Sequence, residues 1–302
     1  MLTSEMAKAK ANCGDLYVTN PSTNPAFRNV YEEIIGGVGI RKDGTSNEVV
    51  NIKDTDEFKY GVDKTREWFE KGYIRNDIAS KGNALTSTDE QNRHVFVQTT
   101  WKPGQEPSDA KDAGEDVVYS RIENPYVGRT NPIATMLAVG QNSKHPEEAV
   151  KFIYMLNSNK DLYNLLVWGI EGTDYTKNSD GTVKKIENSG YDEAYDNGWR
   201  FGNQFNSFVL EGQQPTVWEE TEEMNDKAIK SPAMGFVPNT ESITTEIANI
   251  TNVNSEYKAK MEFGTSPRSE YWDEYMQKLK TAGIDKVRDE IQKQYDEFLK
   301  TK

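Results

Sequence analysis

Helix-length segments close this chain. Residues 203–230, 241–261, 268–281 and 284–300 read as helices, whereas the strand-like stretches 15–20, 94–101 and 131–141 all lie upstream. Strands early and helices late restrict the fold to a mixed α/β class. Further helices are expected over 2–11 and over Ala26 to Ile35, the second stopped by Gly36-Gly37. Asp54-Thr55-Asp56-Glu57 opens another, with an acidic first turn that suits the helix macrodipole and with Phe58, Val62, Trp68 and Phe69 on about one face. His145-Pro146-Glu147-Glu148 places proline at the first helical position, and Ala149, Val150, Phe152, Ile153 and Leu156 follow as a helix face. A helix over Asp161 to Trp168 ends at Gly169, and residues 175–187 read as a hairpin around Asn178-Ser179-Asp180-Gly181.

The chain has 302 residues, enough for one large or two ordinary domains. Apolar residues make up only 35 %, but aromatics reach 11 %, a level that disordered chains lack. The aromatic surface must therefore go into a core, an interface or a cleft. A net charge of -13 repels phosphate backbones and anionic lipid heads, so nucleic acid is not an expected partner. Cys13 is the sole cysteine, which rules out an intrachain disulfide. No apolar run nears the roughly 18 residues that span a bilayer. The opening residues carry neither the charged nor the apolar region of a signal peptide and start inside a helical pattern. That pattern is expected of a piece cut from a longer chain.

Motifs for chemistry are weak. Gly39 to Ser46 has the two-glycine spacing of a phosphate loop but lacks its lysine, so it reads as a turn. Thr176 to Glu187 resembles a calcium loop at Asn178, Asp180, Gly181 and Glu187, yet Thr176 and Lys184 break it, which favours the hairpin. With His94 and His145 the only histidines, no zinc site is expected; both read as structural, and no nucleophile elbow occurs. No catalytic residue, metal or cofactor is expected.

More informative is the pairing of aromatics with amides. Trp101 sits where a strand exits into Lys-Pro-Gly, and Trp199-Arg-Phe-Gly-Asn203-Gln204-Phe205-Asn206 mixes rings with amides. Sugars present apolar C–H faces and a rim of hydroxyls, which such residues suit. Core filling stays open for Trp101 and Trp199, and is the expected role of Trp68, Trp168, Trp218 and Trp272.

Six motifs occur in fixed order: Gly169-Ile-Glu-Gly172, Trp199 to Asn206, Trp218-Glu-Glu, Ser231-Pro-x-x-Gly-Phe236, Thr245-Glu-Ile-Ala-Asn249 and Lys278-Leu-Lys-x-Ala-Gly-Ile-Asp285. Together they resemble the family 1 extracellular solute-binding lipoproteins of Gram-positive bacteria, in the branch with a C-terminal region of unknown function. The resemblance implies a two-lobed α/β fold of the periplasmic-binding-protein type II (Venus-flytrap) kind, related to maltose-binding protein, here with the N-terminal lobe incomplete. It places 1–128 and 215–302 in the C-terminal lobe and 129–214 in the returning segment of the N-terminal lobe and hinge. It implies cell-surface anchoring in the full-length family, with the lipobox absent here, and delivery of a carbohydrate to the transmembrane subunits of an ABC permease. Ligand contacts are implied for Trp101, at the position of a sugar-stacking tryptophan, for Asn24, Phe27 and Arg28 in a cleft-lining loop, and for Trp199, Asn203 and Gln204 near the hinge. Two alternatives stand beside this reading: a glycosidase with a similar aromatic cleft, and a fragment with no function of its own whose apolar surface is left uncovered.

Overall fold

The computed structural model describes residues 2–20, 29–81, 93–191 and 198–302. In chain order its elements are α1 (Leu2–Asn12), β1 (Tyr17–Asn20), β2 (Tyr31–Ile35), β3 (Val38–Arg41), β4 (Val50–Asn51), α2 (Asp56–Glu70), α3 (Ile78–Lys81), β5 (His94–Val97), α4 (Gln105–Ala113), β6 (Tyr126–Val127), α5 (Pro146–Ser158) and α6 (Lys160–Trp168). The hairpin β7 (Tyr175–Lys177) and β8 (Val183–Lys185) follows, then α7 (Val217–Lys227), β9 (Ile229–Lys230), α8 (Thr244–Glu262), α9 (Trp272–Ala282) and α10 (Ile284–Leu299). The chain divides into two compact units. The first holds residues 1–100, 120–129 and 230–302, the second 101–119 and 130–229. The divisions at 129/130 and 229/230 stand beside the sequence-based ones at 128/129 and 214/215.

In the first unit, β2, β3 and β4 form an antiparallel sheet, with Tyr31 opposite Arg41 and Ile35 opposite Val38. The helix expected over Ala26 to Ile35 is instead strand β2 from Tyr31 onward; residues 26–28 lie outside the described part. Gly36 and Gly37 both have positive φ, +60° and +83°, which is the backbone a two-residue hairpin turn needs. The glycine pair therefore turns a strand back on itself, where the sequence reading took it for a helix stop. β1 pairs in parallel with β5, Tyr17 opposite His94. That strand ends at Val97, short of the expected 101, ahead of Pro103-Gly104.

Against the sheet pack α2 and the three closing helices, which bury Ile250, Tyr257 and Met261 of α8, Tyr275 and Leu279 of α9, and Val287, Ile291 and Tyr295 of α10. The i, i+4, i+8 spacing in α10 is the helical period read from the sequence. Gly283, with φ +98°, stops α9 and starts α10; a Cβ there would lie 2.5 Å from Glu246 Cγ. A smaller core of Met6, Val18, Trp68, Tyr73, Ile74, Ile78 and Phe263 seats α1.

The second unit is built around Tyr163, Val167 and Trp168 of α6 with Tyr175 and Val183 of the hairpin. Asn164 is buried and fully employed: its amide donates to the Asn206 and Lys160 carbonyls, and its oxygen accepts from the Phe208 N–H at 2.9 Å. The 175–187 segment is the expected hairpin, its Asp180 carboxylate accepting from the Thr182 N–H and hydroxyl.

Two expectations in this unit fail. The strand-like stretch 131–141 contains a single 3-10 turn, Asn131–Ile133, and pairs with no strand among the described residues. The long helix expected over 203–230 shrinks to α7, because Gly212 and Pro215 interrupt it and residues 204–206 close a separate 3-10 turn.

Tyr163 is fully buried, and its hydroxyl has no hydrogen-bond partner among the described residues. Burial pushes its pKa up to about 12. An unfolded chain ionises this phenol near pH 10 while the folded one keeps the proton. Its contribution is therefore intact below pH 10 and is lost as pH rises through 12, a loss on the order of 2 kcal/mol. Tyr163→Phe is expected to remove that share of alkaline destabilisation and to leave stability at pH 7 unchanged or slightly raised, since a buried unpaired hydroxyl is removed. Urea melts at pH 7 and pH 11.5 check this.

Candidate functional site

Trp101, Trp199, Asn203 and Gln204, singled out from the sequence, all lie in the second unit. Trp101 lies in the irregular segment ahead of α4 and is half-buried. Its Nε1 donates to Glu106 Oε1 at 3.1 Å, on the first turn of α4, and its ring sits 6.4 Å from that of Tyr119, tilted by 49°. Tyr119 donates its hydroxyl to Asp109, whose other oxygen accepts from Gln105 Nε2 at 2.9 Å. Burial first, then Asp109 and Glu106, push the Tyr119 phenol far above its ordinary range, so it stays a neutral donor. These carboxylates fix the orientation of two aromatic rings.

A second set joins this one through the turn at 102–104. Gly104, φ +78°, brings its carbonyl within 2.8 Å of Gln213 Nε2, and a Cβ at this position would stand 2.5 Å from Val217 Cγ2. Lys102 Nζ lies 5.7 Å over the Trp218 ring. Trp218 is only half-buried, against the expectation of pure core, because its Nε1 reaches the Ser207 carbonyl at 2.9 Å while Phe205 meets its ring edge-on at 6.0 Å.

Of the residues expected to contact ligand, Asn203 uses its side-chain oxygen to accept from the Phe205 N–H at 3.1 Å, capping the turn that contains half-buried Gln204. Trp199 is 46 % exposed, with the Arg200 guanidinium 5.0 Å over its ring. Asn24, Phe27 and Arg28 lie outside the described residues. Glu106, Asp109 and Tyr119 escaped the sequence reading. Their one signal is the spacing Trp101, Glu106, Asp109 across Pro103-Gly104, which starts a helix just after the tryptophan.

The cluster offers ring faces beside carboxylates, amides and one lysine. That combination suits a neutral polyhydroxyl ligand with apolar C–H faces. General acid–base chemistry would need a carboxylate free to move a proton. Here both Asp109 oxygens and Glu106 Oε1 are engaged by Gln105, Tyr119 and Trp101.

Residues 232–300 match a domain of unknown function, DUF3502. A carbohydrate ABC transporter substrate-binding protein of Streptococcus pneumoniae serotype 4 is 30 % identical over 275 residues, 86 % of this chain and 53 % of that protein. The crystal structure of the N-glycan transport solute binding protein NgtS from Streptococcus pneumoniae superposes with a TM-score of 0.83 at 26 % identity, over 99 % of this chain and 67 % of that one. The chain is similar to extracellular solute-binding proteins along most of its length. It has the α/β fold of the periplasmic type II members. It spans about half the length of the curated relative that it matches. NgtS has also been solved with Man1GlcNAc and with Man5GlcNAc, and those structures superpose with TM-scores of 0.79 and 0.77.

Proposed function

We propose that this solute-binding chain captures an oligosaccharide of the mannose and N-acetylglucosamine type for an ABC importer, without turning it over. The observation that carries the reading is the Trp101–Tyr119 pair held by Glu106 and Asp109, in a chain whose fold matches NgtS over 99 % of its length. Ring faces fixed by their own N–H and O–H groups lose little freedom on binding, which is how an aromatic platform gains affinity. Trp101 would stack on a sugar face, with Trp199, Asn203 and Gln204 of the same unit as further proposed contacts. In this reading the first unit corresponds to the C-terminal lobe and the second to part of the N-terminal one. The partner is a membrane permease, and the place of work is the outer surface of the cell.

A thermal-shift series with Man1GlcNAc, Man5GlcNAc and unrelated acidic oligosaccharides tests this. A ligand present at 100 times its Kd adds about 2.7 kcal/mol and is expected to raise the melting temperature by several degrees. The mannose glycans should shift it and be recovered intact. A response to acidic sugars alone would overturn the proposed ligand class, and shortened glycans would show an enzyme.

A further inference from the structure

The chain leaves the first unit at 129/130 and returns to it at 229/230. These two passes start side by side. β6 pairs with β9, and the Ser231 N–H donates to the Val127 carbonyl at 2.9 Å. A ribbon of two residues on each side is too short to hold itself together. Glu32 of β2 supplies what it lacks. One oxygen of this half-buried carboxylate accepts from the Arg129 N–H at 2.5 Å, and the other accepts from the Tyr126 hydroxyl at 2.7 Å and from the Ser231 hydroxyl. The Arg129 guanidinium repeats the pattern. It donates to the Ile34 carbonyl of β2 at 2.9 Å and to the Phe236 carbonyl, downstream of the second pass, at 3.3 Å. Lys42 lies 5.1 Å over the Tyr126 ring and covers the ribbon from the side of β3.

We infer that Glu32 is a positioning residue for movement between the two units: it locks the passes at 129/130 and 229/230 into one ribbon that bends as a single element. Two features select this role over plain support of the core. Among the described residues, all three donors to Glu32 come from the paired passes, whereas the core of the same unit is held by apolar and aromatic packing. One of the three is the main-chain N–H of Arg129, the last residue before the pass, so the bond fixes the direction in which the chain leaves the unit. Bonds to a carboxylate are also the stronger kind, and a carboxylate drawn partly out of water needs every one of them. A hinge made of two passes moves along one path only if the passes move together. The purpose of the latch, guiding that movement on ligand capture, rests on the role proposed above; the latch itself is tested without ligand.

The test is the distribution of distances between two spin labels, measured by pulsed electron resonance on the ligand-free chain. One label sits on Asn252→Cys, exposed on α8 of the first unit, and the other on Glu222→Cys, exposed on α7 of the second, both in a Cys13→Ser background. Glu32→Ala is expected to broaden the distribution about two-fold, because the two passes then bend separately. In the same variant, hydrogen exchange of the Arg129 N–H should quicken on the order of 10-fold or more. Glu32→Gln keeps the length and one carbonyl acceptor and should recover part of the parent width. Tyr275→Phe loosens the first unit away from the passes and should leave the width as it is. An unchanged width in folded Glu32→Ala would overturn the inference, and so would equal broadening by Tyr275→Phe. Should Glu32→Ala fail to fold, the pair Tyr126→Phe and Ser231→Ala removes two of the three bonds, and an unchanged width there overturns it equally.

Discussion

Trp101→Ala is expected to weaken Man5GlcNAc binding by about 30-fold or more, the loss that follows when an aromatic anchor worth ~2 kcal/mol is truncated. Trp101 supplies a ring face whose angle is set by its bond to Glu106 and by Tyr119 beside it. Trp101→Phe keeps a ring but forfeits the N–H that Glu106 holds, so a smaller loss, on the order of 5-fold, is expected. Glu106→Gln keeps an acceptor for the indole and should stay close to the parent. Calorimetric titration gives the three affinities, and circular dichroism shows that each variant is folded. Parent-like binding by Trp101→Ala would remove the platform from the binding site.

Tyr275→Ala should be the most damaging substitution for stability, at about 3–5 kcal/mol. Tyr275 is completely buried at the centre of the first unit, its ring 5.0 Å from that of Tyr257 and 5.5 Å from that of Trp272. Its hydroxyl donates to Asn254 Oδ1 at 2.7 Å and ties α9 to α8. Burial holds the phenol far above its ordinary pKa, so the donor persists across the physiological range. Tyr275→Phe isolates the hydrogen bond, which should cost about 1 kcal/mol. Urea unfolding measures both, and a loss below ~1 kcal/mol for the alanine variant would contradict the packing described for this core.

The closing helices were legible because their burial is one-sided. Ile250, Tyr257 and Met261, or Val287, Ile291 and Tyr295, repeat at helical spacing whatever the rest of the fold does. The segment around Tyr31 to Ile35 was not, since Gly36-Gly37 is equally a helix stop and a hairpin turn, and only pairing with Val38–Arg41 decides. Residues 131–141 show the converse. Their pattern is a strand's, but a strand is a property of two segments, and the described residues hold one. In the site, Trp101 stood out as an aromatic ahead of a turn. Glu106 and Asp109 did not, because carboxylates are abundant here and proximity to the rings arises only once α4 folds back past Gly104. Trp218 was read as core from its apolar neighbour Val217, although its indole N–H seeks a carbonyl at the edge of that core.

Isothermal titration of the parent chain with Man5GlcNAc, followed by chromatography of the glycan, tests the binding role most directly. A saturable one-to-one heat that Trp101→Ala diminishes, with all of the glycan recovered at its original length, is the predicted result. Either a glycan that is shortened during the titration, or no binding heat from the parent chain, would contradict it.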